Sequence, residues 1–272
     1  MIHLSKIAAL GASAATLFAL FACSSFAAES GTLDTQRLNG LLERTAGQTS
    51  VFLDQFSDVK CTEQVRQEKL SGDNKVDLKE ESTYDYLVIL TNNGGELSLS
   101  ESRIPIHEAK KDRKNTSMLL SNGFATLFLV FHPVYADAFK FTLGDQETIA
   151  GHRLQKVSFQ HITGMKSPAA LALRGREYPL ELTGTAWIDP ETGSIAKIEA
   201  GIADTLQDVG LRTLTSEIDF SPLTFGDSKQ AYWFPTEARV EVETARQHWR
   251  NLHQFTGYKK FSVSTEEKVA QK

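Results

Sequence analysis

Long alternating strands constrain this chain more than any other feature. Val59 to Leu70 alternates weakly between apolar and polar residues, turns at Ser71-Gly72-Asp73-Asn74-Lys75, and returns from Val76 to Leu90. On the return, Tyr84, Tyr86, Val88 and Leu90 share one face, because successive strand side chains point to opposite sides. Most strands run to five or six residues. Longer antiparallel strands with one polar face predict a large curved sheet with one wet side. Asn92-Asn93-Gly94-Gly95 turns the chain into Leu97-Ser98-Leu99. Further strands are read at Phe139-x-Phe141-x-Leu143, Val157-x-Phe159-x-His161, Thr185 to Ile188, Ile198 to Ile202 and Leu211 to Phe220. Ala238, Val240 and Val242 alternate with Glu237, Arg239, Glu241 and Glu243, the pattern of a half-buried strand. Gln247 to Phe255 and Tyr258 to Val263 complete a set of about ten strands.

Two segments read as helix. From Leu33 to Phe56, Leu38, Leu41, Leu42, Thr45, Phe52 and Phe56 recur near helical spacing, with Asp34 or Thr35 as cap. Its single apolar stripe calls for a large apolar surface to lie against. Met118 to Phe131 is apolar almost all round, through Leu119, Leu120, Phe124, Leu127, Phe128 and Phe131, and Pro133 marks its end. Such a helix is enclosed in a core, or it lines a ligand cavity or a membrane surface. Between these elements, Pro105 to Asn115 carries Lys110-Lys111-Asp112-Arg113-Lys114, a solvated loop or a docking patch for an acidic partner. Ile162 to Leu182 contains Pro168, Gly175 and Pro179 and is too long for a tight hairpin, which makes it a candidate functional loop. Within it, Arg174-Gly175-Arg176-Glu177 forms an exposed turn or a grip on a lipid head group. No repeat of fixed period and no flexible linker occurs, so one domain is expected.

The N-terminus predicts an address. Met1 to Lys6 is a short basic start, Ile7 to Ala22 an uncharged apolar run, and Ser25-Phe26-Ala27 a small-residue exit. That order is a secretory leader, removed as residues 1–27, which leaves 28–272 as the folded domain in the bacterial periplasm. The apolar run holds about 16 residues, short of the roughly 20 that a membrane-spanning helix needs. Leu20-Phe21-Ala22-Cys23 resembles a lipobox, and acylation at Cys23 would instead anchor the chain to a membrane. Phe21 fits that motif poorly, so the soluble form is the expectation.

The remaining chemistry is sparse. The net charge of −5 gives no basic face for phosphate, so no nucleic-acid partner is expected. Of two cysteines, Cys23 goes with the leader or is acylated, and Cys61 in Val59-Lys60-Cys61-Thr62-Glu63 reads as a small buried hydrophobe. Glycine-rich phosphate loops, His-Glu-x-x-His and Gly-x-Ser-x-Gly are absent, and no enzyme activity is expected. No histidine pair has ligand spacing: His248 and His253 fall on opposite faces of one strand, as do His152 and His161. Neither metal nor cofactor is therefore expected. Gln247 to His253 reads as a solvated strand face or the polar rim of a site.

Trp187-Ile188-Asp189-Pro190-Glu191-Thr192-Gly193, followed by Ile195-Ala196-Lys197-Ile198, resembles the W-I-D-x-x-T-G-x-I-x-K hairpin of LolA-like envelope proteins. Tyr232-Trp233-Phe234-Pro235-Thr236 is similar to their aromatic-proline strand start. The resemblance implies an unclosed β-barrel holding apolar helices in its concave face, and a role in carrying lipoproteins or binding hydrophobic molecules. No functional residue of that family maps onto this chain.

The reading is therefore an α+β, mainly antiparallel fold, with one curved sheet covering one or two apolar helices. Its expected function is non-catalytic binding of an acyl chain, lipid or lipoprotein by a monomer. Leu120, Phe124, Leu127, Phe128, Phe131, Tyr84, Tyr86, Val240 and Val242 are the candidate cavity residues. The alternative is a structural or signalling module that contacts another envelope protein and has a fully packed interior. A contiguous apolar cavity of several hundred cubic ångströms would favour the first reading.

Overall fold

In the computed structural model, residues 22–93, 96–106, 123–173, 176–225 and 231–261 are described. The chain divides into two units, Met1–Gly40 and Leu41–Lys272. Helix α1 (Ala22–Ser57) runs through both. It begins upstream of the expected start at Leu33. Ala27-Ala28-Glu29 favours helix, and no proline lies between Ala22 and Leu33 to stop it. In the first unit, Arg37 Nη1 and Asp34 Oδ1 form an exposed ion pair at 3.4 Å, one helical turn apart. Among the described residues no helix is long and apolar enough to cross a membrane.

The second unit is built on antiparallel strands: β1 (Val59–Leu70), β2 (Val76–Asn93), β3 (Glu96–Pro105), β4 (Phe139–Ile149), β5 (His152–His161), β6 (Ala170–Leu173), β7 (Arg176–Pro179), β8 (Leu182–Ile188), β9 (Ile195–Ile202), β10 (Leu211–Leu223), β11 (Tyr232–Thr244) and β12 (His248–Lys260). Ten of them form one unclosed sheet in the order β3-β2-β1-β12-β11-β10-β9-β8-β5-β4, while β6 and β7 pair as a separate hairpin. This hairpin is the content of the long connection from Ile162 to Leu182. Neighbours are mostly sequential hairpins, but β1 pairs with β12, from Val59 opposite Lys260 to Leu70 opposite His248. The fold is the expected α+β architecture with a ten-stranded antiparallel sheet.

One connection departs from the meander. The chain leaves β3 at one edge of the sheet and re-enters as β4 at the other. The crossing carries a 3-10 segment, Ala125–Phe131, in which Ala125, Leu127, Phe128, Leu129, Val130 and Phe131 are buried. Its phenylalanines step across the sheet. The Phe124 ring meets His253 of β12 at 4.6 Å, Phe128 meets Phe220 of β10 at 4.8 Å, and Phe131 meets Phe159 of β5 at 5.8 Å. The burial agrees with the apolar circumference, but over the described residues the expected helix is corrected in form: Ala125–Phe131 is a 3-10 segment. Met118 to Asn122, including Leu120, lie outside the described residues. Gly123 takes a φ of 94° just before the segment, and His132, extended at ψ 141° before Pro133, ends it. A 3-10 helix rises about 2.0 Å per residue against about 1.5 Å for an α-helix, so the tighter winding spans more of the sheet with the same residues.

Within the second unit, α1 lays Leu41, Thr45, Thr49, Phe52, Leu53 and Phe56 along one buried stripe. Phe52 stacks on Phe128 with centroids 3.9 Å apart, and Phe56 packs on Phe234 at 5.7 Å. Each such ring removed from water contributes roughly 1.5–3 kcal/mol. Cys61 points into this core and is 2 % exposed. Burial pushes its thiol up to about 12, against a partly opposing hydrogen bond with Tyr258, so it stays protonated and packs as a hydrophobe.

The Trp187 to Lys197 motif forms a turn clamped onto α1. Asp189 Oδ1 accepts from the backbone N–H groups of Glu191 and Thr192 at 2.8 and 2.9 Å. Gly193 takes the left-handed φ of 78°, where a Cβ would meet the Arg44 carbonyl carbon at 2.6 Å. Arg44 Nη2 in turn donates to the Pro190 carbonyl at 3.0 Å. Strand β12 corrects a second expectation. Gln247 to His253 was expected as a solvated face or polar rim, yet Trp249, Asn251 and His253 are buried, and only alternate residues such as Arg250 are exposed.

Candidate functional site

The crossing segment does not cover the whole inner face of the sheet. Beside it lies a cleft of about 530 Å³. Phe124 and Leu127 of the crossing form one wall. Pro168, Ala169, Ala170 and Leu171, at the β6–β7 hairpin, form another, and Leu214, Val240 and Val242 form the sheet floor. Thr126 and Ser216 supply hydroxyls, and among the described residues no charged side chain lines the cleft. The hairpin is held at its base, where Ser167 Oγ donates to the Leu180 carbonyl at 2.7 Å and Leu180 N–H donates to the Ala169 carbonyl at 2.9 Å.

The nine expected cavity residues separate into groups. Phe124, Leu127, Val240 and Val242 come together in the cleft. Phe128 and Phe131 are packed in the core beside it, at 3 % and 2 % exposure. Tyr86 is buried on β2 and Tyr84 is half-buried on the same strand, both apart from the cleft lining. Leu120 lies outside the described residues, as do Lys110 to Lys114 and Arg174. Cys23 falls in the first turn of α1. Arg176 and Glu177 are exposed on β7.

Sequence reasoning missed a buried polar cluster behind Phe124. Arg103 of β3 donates from Nε to Glu63 Oε2 at 2.6 Å and from Nη2 to Glu63 Oε1 at 2.8 Å, a bidentate pair. Its Nη2 also lies 3.3 Å from Glu101 Oε2. His253 Nδ1 is 2.7 Å from Glu63 Oε1, and Gly123 N–H donates to Glu101 Oε1 at 2.8 Å. Glu63 and His253 are fully buried. Burial works against the Glu63 charge, but the hydrogen bonds from His253 and Arg103 outweigh it and hold the carboxyl below its usual range. Burial dominates at Glu101 and raises it, and burial likewise lowers His253. The missed signal was phase. Glu63 occupies the same strand face as Cys61 and Val65, and a charge at a core-facing position requires a buried partner.

Among the described residues no group of three or more histidine, cysteine or carboxylate side chains is placed to hold a metal ion. No protein-family model matches this chain, and no curated protein matches it. Among solved structures, the chain is similar to a DUF1329 family protein from Desulfovibrio piger, with TM-score 0.44, 10% identity, and coverage of 86% of this chain and 98% of that one. It is also similar to a candidate outer membrane lipoprotein-sorting protein domain from Vibrio parahaemolyticus, with TM-score 0.40, 10% identity, and coverage of 83% and 94%. The MucA/MucB complex of Pseudomonas aeruginosa gives TM-score 0.20 and 9% identity, over 80% of this chain and 99% of that one.

Proposed function

We propose that this protein binds the apolar portion of an amphiphile, an acyl chain or the lipid moiety of a lipoprotein, in the cleft between the crossing segment, the β6–β7 hairpin and the sheet. One observation carries the reading: a cleft of about 530 Å³ whose described walls are mostly apolar and carry no charged side chain. That volume lies within the range of small-molecule sites, and uncharged apolar walls take their affinity from the area a ligand removes from water. The role is carriage or sensing rather than catalysis. Lipid extraction and mass spectrometry of the purified protein test it, together with uptake of a fluorescent long-chain alcohol. Val242→Trp, which fills the floor, is expected to cut uptake at least tenfold with little loss of stability. Equal uptake by both proteins, or no uptake and no extractable lipid, would sink the proposal.

The secretory pattern of residues 1–27 supports an address in the bacterial envelope. Cleavage after Ala27 leaves α1 from Ala28 onward, so the buried stripe from Leu41 to Phe56 is untouched. The intact mass of the exported protein is expected to match a chain starting at Ala28 with no added acyl groups. A mass that begins at an acylated Cys23 would make the protein membrane-anchored instead.

An envelope protein partner has its own support at β3, the edge strand among the described residues. Ile89 and Ile104 on β2 and β3, and Ile106 just beyond, are 49%, 55% and 42% exposed. Unpaired edge strands offer backbone donors and acceptors to an added strand.

A further inference from the structure

The polar cluster behind Phe124 has a defined proton arrangement. A carboxylate only accepts, so at the 2.7 Å contact between Glu63 Oε1 and His253 Nδ1 the imidazole nitrogen donates. In the neutral ring the proton then sits on Nδ1, and Nε2 is left as an acceptor. That Nε2 atom is buried and has no hydrogen-bond partner among the described residues, on a side chain that is 0% exposed. Tyr86 Oη, on a side chain 1% exposed, is buried without a partner as well. An unmatched buried polar atom destabilises the fold until something pairs with it.

Phe124 joins this cluster to the cleft. Its ring sits edge-on to His253 at 4.6 Å and lies 5.9 Å from the Arg103 guanidinium, while the same residue forms part of the cleft wall. It follows Gly123, at φ 94°, a hinge-like position free of a Cβ. Glu63 and Glu101 supply two carboxyls to the single Arg103 guanidinium.

We infer that the cleft ligand carries an uncharged hydroxyl or amide group that passes Phe124 and donates to His253 Nε2. The inference rests on the cleft reading above and names the head group that reading left open. An acceptor beside the Glu63–Arg103 pair selects an uncharged donor. An ammonium would meet the Arg103 guanidinium, and a carboxylate has no proton to give. An ether or ester of the same length fits the apolar walls but leaves Nε2 unmatched.

The test is calorimetric titration of the whole protein with 1-dodecanol, its methyl ether and dodecanoate. Dodecanol is expected to bind about tenfold tighter than the ether, one hydrogen bond's worth, and tighter still than dodecanoate. His253→Phe should bring alcohol and ether to parity. Should that variant fail to fold, Phe124→Ala serves instead and is expected to raise alcohol affinity with the ratio kept or widened. Equal affinities of alcohol and ether in the unmodified protein, or dodecanoate binding as tightly as the alcohol, overturn the inference while leaving the cleft reading intact. Failure of all three ligands to bind overturns both.

Discussion

Valine in place of Gly193 is expected to lower the stability of the protein by on the order of 4 kcal/mol, read as a drop in the urea midpoint and in Tm. Two costs add. A β-branched residue at φ 78° is strained, by about 1–3 kcal/mol. Its Cβ would also fall 2.6–2.8 Å from backbone atoms of Arg44 and Thr45 in α1, and backbone cannot move aside as a flexible side chain can. Gly210 separates the two costs. It has φ 72°, with nothing within 4 Å of a built Cβ, so Gly210→Ala carries backbone strain alone and should cost about 1 kcal/mol. If both variants lost stability equally, the clamp between this turn and α1 would have no energetic weight.

Arg103→Met is expected to cost about 3–5 kcal/mol at neutral pH, because it strands two buried carboxyls without their cation. The pH dependence gives the finer test. In the unmodified protein the Glu63 carboxyl lies below its ordinary 4.5, so its contribution is complete above that pH and fades as pH falls through the folded value. His253 lies below its ordinary 6.5, so on acidification the unfolded chain takes that proton first, and stability declines from about pH 6.5 downward. Glu101 lies above 4.5 and acts in the opposite sense, adding stability at acid pH that is lost as pH rises through its folded value. Removing Arg103 raises both carboxyls. The deficit of the variant should therefore shrink between pH 7 and pH 5 as they take up protons. Urea midpoints at the two pH values measure this, and a deficit that held constant or grew would refute the pairing.

The strands were legible because alternation is local. Ala238, Val240 and Val242 face inward and their charged neighbours outward, whatever the rest of the chain does. The turn from Asp189 to Gly193 was legible for the same reason, since proline and glycine fix backbone angles within a few residues. The Ala125–Phe131 segment was legible in its burial but not in its winding, which depends on the span between two sheet edges. Strand β12 was misread because Asn251 and His253 are polar, and polar residues in a strand normally face water. The burial of His253 is matched by Glu63, far away in sequence. For the cleft, apolar character named Phe124, Leu127, Val240 and Val242 correctly as inward-facing. It could not separate them from Phe128 and Phe131, because a wall and a core are built from the same residues. The polar cluster drew on three strands and left no motif at all.

The pairing of β1 with β12 has a consequence for how the chain reaches this state. Strands β1 to β3 can form their own meander early, but they join the main sheet only through the last strand to be made. Until β12 arrives, Glu63 and Arg103 have no His253 beside them and Cys61 lies on an open edge. Contacts spanning nearly the whole chain are slow to close, because their loop entropy is lost before they contribute any stability. The final docking event is therefore the rate-limiting candidate, and the interval before it is when two unpaired sheet edges are most exposed to association with other chains. A protein made this way depends on its surroundings to keep those edges apart until the C-terminal strand has emerged.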